Sequence, residues 1–276
     1  VFFRDTKHPE KTRKFLKKCY DSTMQRYETA LLEVRLENGG GISGRISCPP
    51  GLYPGPGQYL LVHAIGQDET LATSLFAARA LLRPMGEEVQ PVQSSFTGSK
   101  NHPGAHVVED LELAPALPAS WTVGTRLSVR GPLGQGFSLP KSARRVALVA
   151  LGVFAHRLLP LAEQALAQKA AVALYTRHVP GQLSPEVEVL PLDSLGEALN
   201  WTDYLAFDLP PTALPGLKKR FGLAPHTPMP VPAQVLVQVP MPCGGMGECG
   251  LCAVDQRRGW KLACKDGPVF DFNEII

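Results

Sequence analysis

The sequence predicts a multidomain chain: an antiparallel β-barrel, then a Rossmann-like α/β domain, then a small cysteine-rich domain at the C-terminus. Three observations predict it. Residues 28–140 carry short apolar stretches divided by Gly/Pro turns, as antiparallel barrels and sandwiches do. Residues 141–239 alternate continuous apolar runs with helical periodicity, as doubly wound α/β sheets do. Residues 240–276 hold four of the six cysteines, three of them on a glycine-rich loop. Residues 1–27 stand apart as a basic extension.

The extension holds eight Lys/Arg and three Asp/Glu, a balance of +5. The whole chain is +3, so the body carries −2. A basic excess confined to one end does not describe a nucleic-acid-binding core. Phe15, Leu16, Cys19 and Tyr20 have helical spacing, which suggests a short solvated helix. Acids among the bases do not fit a transit peptide. With 44% hydrophobic and 19% charged residues over 276 positions, the composition is that of a soluble globular protein. No apolar run is long enough to span a bilayer.

In the barrel region, Ala30–Leu36 alternates as a strand and Gly39-Gly40-Gly41 turns it. Ile42–Ile46 returns, Gln58–Ala64 follows two Pro/Gly turns, and Thr125–Arg130 precedes Gly131-Pro132-Leu133-Gly134-Gln135-Gly136-Phe137. Leu71–Met85 is Ala/Leu-rich and reads as a helix, and Val89–Pro118 as irregular chain. In the α/β region, strands are expected at Arg145–Leu151, Ala171–Tyr175, Val187–Leu190, Tyr204–Phe207 and Ala233–Val239. Helices are expected at Arg157–Lys169, Leu195–Leu199 and Ala213–Phe221.

Cys243, Cys249, Cys252 and Cys264 have the spacing C-x5-C-x2-C-x11-C. That is close to the C-x4-C-x2-C…C run of plant-type [2Fe–2S] sites. Four thiolates around iron and sulfide carry net negative charge, which backbone N–H groups screen. Gly244, Gly245, Gly247 and Gly250 allow the close wrapping this needs. The alternatives are a four-cysteine zinc site and a disulfide framework. Zinc ribbons offer two C-x2-C knuckles, and here only Cys249 and Cys252 form one. A disulfide framework suits small secreted chains, whereas this composition suits a reducing, cytoplasmic setting. Cys19 reads as a small core residue, and His63 and His156 as packed or surface histidines.

Three stretches resemble the ferredoxin–NADP reductase superfamily, and within it the electron-transfer subunits of type B dihydroorotate dehydrogenases. Pro56-Gly57-Gln58-Tyr59 resembles the PGQ[FY] strand of the flavin barrel. Gly131–Phe137 resembles the GPLGxGF segment that closes it. Cys243–Cys252 with Cys264-Lys265-Asp266-Gly267-Pro268-Val269-Phe270 resembles the cluster domain, CKDGPVF being the most specific piece. The likeness spans Ala30 to Phe270 in layout. It implies a [2Fe–2S] centre on Cys243, Cys249, Cys252 and Cys264, and FAD near Ser74, Gly131, Pro132, Leu133, Gly134 and Gly136. It also implies a catalytic, dihydroorotate dehydrogenase-like flavoprotein as partner, with a place in pyrimidine biosynthesis. Relatives of such subunits serve other oxidoreductases, hydrogenases among them.

The chain departs from this family in four places. Leu71-Ala72-Thr73-Ser74 lacks the arginine of the RPxS-like FAD motif, and Arg83-Pro84 comes late. Leu151-Gly152-Val153-Phe154-Ala155-His156 replaces a glycine-rich phosphate turn. Ala206–Pro211 lacks the cysteine and glycine of the nicotinamide motif, and the first two cluster cysteines stand one residue further apart. The expected function is an iron–sulfur electron-transfer subunit that relays electrons between a catalytic partner and an acceptor, with direct NAD reduction weakened or absent. The alternatives are a complete FAD- and NAD-linked reductase with atypical motifs and a non-catalytic adaptor with a structural metal.

Overall fold

The computed structural model describes residues 25–66, 71–83, 107–224 and 227–275. The helix expected near the N-terminus lies outside these residues. So do Pro84 and Met85. Six strands form a closed antiparallel barrel: β1 (Gln25–Leu36), β2 (Ile42–Ser47), β3 (Tyr59–Ala64), β4 (Thr73–Arg83), β5 (Val107–Leu113) and β6 (Arg126–Leu133). Their order around it is β1-β2-β5-β4-β3-β6. β1 begins inside the last residues of the expected extension, and its pairing of Gln25 with Gly131 and Ala30 with Arg126 closes the barrel. Alternation explains the filling: Leu31, Ile46, Leu60, Val62, Leu75, Leu111, Leu113 and Leu127 point inward around the buried Trp121.

Two barrel expectations are corrected. Residues 73–83 form β4 rather than a helix, and Val107–Leu113 form β5 rather than irregular chain. Ala and Leu favour helix in isolation, but β4 gains hydrogen-bonded partners on both sides, β3 and β5. Leu75, Phe76, Ala77 and Ala78 are buried, so tertiary pairing overrides local propensity.

The second sheet contains β7 (Arg145–Ala150), β8 (Ala171–Tyr175), β9 (Val187–Leu190), β10 (Tyr204–Leu209), β11 (Ala233–Val237) and β14 (Val269–Asp271). Its order is β14-β11-β10-β7-β8-β9. All pairs are parallel except β11–β14, so the chain reverses direction of winding at β7, between β8 and β10. β7 is a continuous buried run, as its composition dictates. Helix α1 (Leu159–Ala167) follows β7 after residues 151–155 and a 3-10 turn (His156–Leu158), and packs on β4 as well as β8. The expected Leu195–Leu199 helix is a 3-10 turn leading into α2 (Ala198–Trp201). The expected Ala213–Phe221 helix is divided at Gly216, which leaves α3 (Leu217–Arg220). A hairpin, β12 (Ala253–Gln256) and β13 (Gly259–Leu262), α4 (Ala263–Asp266) and α5 (Phe272–Ile275) complete the chain. No helix among the described residues is long and apolar enough to cross a membrane.

The core of the α/β sheet extends onto the barrel, whose interior forms a second cluster around Trp121. Tyr59, Phe76, Ala78 and Ala114 of the barrel region belong to the same buried cluster as β7, β10 and β11. A polar contact seals its edge: His156 Nε2 lies 3.2 Å from Glu37 Oε2.

Two predictions follow from this packing. Gly57 has φ +80°, and a Cβ there would lie 2.6 Å from Val269 Cγ2 and 2.8 Å from Phe137 Cδ2. Gly57→Ala should therefore cost about 2 kcal/mol in urea unfolding. The second concerns His156, which burial holds below the ordinary histidine value of 6.5 despite the opposing Glu37 carboxylate. Between its lowered value and 6.5 the unfolded chain binds more protons at this site than the folded one. Stability should fall as pH drops below 6.5, and His156→Gln should flatten that part of a thermal-unfolding profile.

Candidate metal centre

The cysteine loop leaves β11 and returns through β12, β13 and α4. Its turns are local: Met246 N–H donates to Cys243 O at 3.5 Å and Ala253 N–H to Gly250 O at 3.1 Å. Gly244 sits at φ +62°, where a Cβ would meet Leu61 Cδ2 at 2.4 Å. Only glycine lets the loop lie this close to the barrel wall. Ala263 N–H donates to Cys252 O at 2.9 Å, which brings the fourth cysteine back to the loop.

Pairwise contacts link the four predicted ligands: Cys243 with Cys264, Cys264 with Cys252, and Cys249 with Cys243. Cys252 and Cys264 are buried, Cys243 is half-buried and Cys249 is exposed. The sulfurs of Cys243 and Cys264 are 3.9 Å apart, and Cys264 N–H points at the Cys252 sulfur from 3.5 Å. Burial pushes the Cys243 thiol up. The Gly247 amide, the Cys249 and Cys264 side chains and the Gly245 amide outweigh that and bring it to about 7. Cys264 is pushed up to about 12 by burial, then by the neighbouring Cys252 and Cys243 sulfurs. Packed thiols of this kind resist joint ionisation unless a cationic centre takes up their charge. Among the described residues, no three His, Cys, Asp or Glu side chains converge as a single-ion site requires. Cysteine sulfurs with amide N–H groups aimed at Cys243 and Cys252 are the donor type of an iron–sulfur group.

The other predicted positions have different surroundings. Gly131, Pro132 and Leu133 end β6, and Gly134 and Gly136 follow it. A Cβ on Gly134 would lie 2.6 Å from Gly267 O, and one on Gly136 would lie 2.4 Å from Pro56 O. Gln58 Nε2 donates to Gly134 O at 3.1 Å, and Phe137 N–H to Pro56 O at 2.8 Å. Ser74 lies on β4 opposite Leu61, with β3 between it and β6. The three motif stretches thus meet in one knot, and its link to the cysteines went unread in the sequence. Tyr59 Oη donates to Cys264 O at 3.0 Å, while Asp266 Oδ2 accepts from Leu262 N–H at 3.0 Å. The only sequence signal was that a tyrosine ends the PGQY stretch.

Comparison with known proteins agrees with this geometry. Residues 240–276 match the family described as the iron–sulfur cluster binding domain of dihydroorotate dehydrogenase B. Over 36 residues the chain is 50% identical to the gamma subunit of sulfhydrogenase 1 from Pyrococcus furiosus, a match spanning 13% of this chain and 12% of that one. An NADH-dependent reduced ferredoxin–NADP oxidoreductase, solved in connection with flavin-based electron bifurcation, aligns with TM-score 0.64 at 17% identity. That alignment covers 90% of this chain and 89% of the other. A ferredoxin–NADP reductase from Neisseria gonorrhoeae, solved with FAD and NADP, aligns with TM-score 0.50 at 13% identity over 79% and 99% of the two chains. The fold is that of these reductases.

Serine at Cys252 or Cys264 should abolish retained iron, measured by metal analysis after anaerobic desalting. Tyr59→Phe should keep the iron but lose about 1 kcal/mol of stability.

Proposed function

We propose that this chain, whose residues 240–276 match the iron–sulfur cluster binding domain of dihydroorotate dehydrogenase B and whose fold is that of ferredoxin–NADP reductases, is the electron-transfer subunit of a larger oxidoreductase. The observation that carries the reading is the gathering of Cys243, Cys252 and Cys264 under amide donors, with Cys249 open to solvent. We read the group held there as [2Fe–2S], which supplies one-electron transfer when bound. The residues of the chain fix and tune it. Gly245 and Gly247 direct N–H groups at Cys243, which favours added negative charge. Tyr59 and Asp266 hold the backbone on either side of Cys264. Burial of Cys252 and Cys264 excludes water from one side, while Cys249 marks the side from which a partner's redox centre can approach.

The partner follows from the family of the C-terminal domain: a catalytic flavoprotein of the dihydroorotate dehydrogenase kind, in a reducing, cytoplasmic setting. A second reading, a hydrogenase-class partner, is favoured by the 50% identity to the sulfhydrogenase gamma subunit. The domain boundaries at residues 140 and 239 are proposed with it.

Purified anaerobically, the chain should contain roughly two iron and two acid-labile sulfide. Dithionite should produce a paramagnetic resonance signal that reoxidation removes. Stoichiometric zinc without sulfide would end the reading, and a centre that cannot be reversibly reduced would favour the structural-metal adaptor.

A further inference from the structure

In open α/β sheets a dinucleotide lies across the crevice at the carboxyl ends of the strands, where the strand order reverses. In this chain that point lies between β7 and β10. Asp208, near the end of β10, is fully buried there. Its Oδ2 accepts from Arg157 Nε at 3.0 Å and its Oδ1 from Gln238 Nε2 at 2.6 Å. The Gln238 amide covers Gly152, since a Cβ on that glycine would meet Nε2 at 2.8 Å. Gly152 is the one glycine of the turn after β7, so the place where a phosphate could approach the backbone is taken by a side chain.

The rest of that turn is turned into the barrel. Phe154 packs into the space above Gly41, where a Cβ would fall 2.2 Å from its Cζ. His156 reaches Glu37 on the same β1–β2 connection. Arg157, already held by Asp208, lies over the Phe76 ring of β4 with its guanidinium carbon 5.5 Å from the ring centroid. Phe76 in turn packs against Tyr59 at 6.2 Å between centroids. A phosphate turn has become a clasp between the two halves.

We infer that this chain binds no nicotinamide dinucleotide at the crevice between β7 and β10, because Gln238, Asp208 and Arg157 occupy it, and that it takes no hydride there. Electrons then do not enter or leave the chain through a nicotinamide. This rests on the electron-transfer reading only for that last consequence. The closure of the crevice stands on separate residues.

The test uses the intact chain with its iron and sulfide in place. It is mixed anaerobically with NADH or NADPH and followed by visible absorbance. The expected result is no bleaching by either nucleotide and full bleaching by dithionite. Neither nucleotide should raise the thermal midpoint, which a ligand specific to the folded state would do. Bleaching by a nicotinamide nucleotide, or a midpoint raised by one, overturns the inference. Failure of dithionite to bleach a metal-loaded chain would count against electron transfer and leave the thermal result to decide the closure.

Discussion

The structure depends on the junction where Tyr59 Oη donates to the carbonyl of Cys264. Around that bond, three stretches distant in sequence exchange backbone contacts. Gln135 N–H donates to Gly267 O, Val269 N–H to Gln135 O, and Phe137 N–H to Pro56 O. Each buried hydrogen bond contributes only about 1 kcal/mol net, but leaving any of these groups unpaired would cost more. The junction is therefore cooperative. β14 follows directly and pairs antiparallel with β11, placing Phe270 opposite Val235. The cysteine unit thus supplies an edge strand of the α/β sheet and packs against the barrel, rather than hanging on a tether. A centre held there is positioned by both halves of the molecule.

That arrangement explains which parts of the fold were legible in the sequence. β7, β8 and β10 announce themselves because strands buried on both faces read as continuous apolar runs. The cysteines were readable because metal ligands with short spacings are a local pattern. β4 was misread because Ala-Ala-Arg-Ala-Leu-Leu favours helix locally, and its two neighbouring strands are not visible from within the segment. β5 was hidden for the same reason. The bond from Tyr59 to Cys264 joins positions 205 residues apart, and no periodicity reports such a contact.

The turn after β7 was half legible. The missing glycines there showed that the usual contacts had changed. What replaced them required coordinates. One signal was present, a charged residue, Asp208, in a strand otherwise apolar and buried throughout. Such a residue is stable only when paired, and Arg157 and Gln238 supply the pairing. The same three side chains remove the room a phosphate would need.

The central claim is that the four cysteines hold an iron–sulfur core rather than a lone structural ion. X-ray absorption at the iron edge of the anaerobically isolated chain tests it directly. The account predicts iron in an all-sulfur shell with a second, iron–iron scattering path. Iron absent in favour of zinc, or a sulfur shell with no metal–metal path, would contradict it.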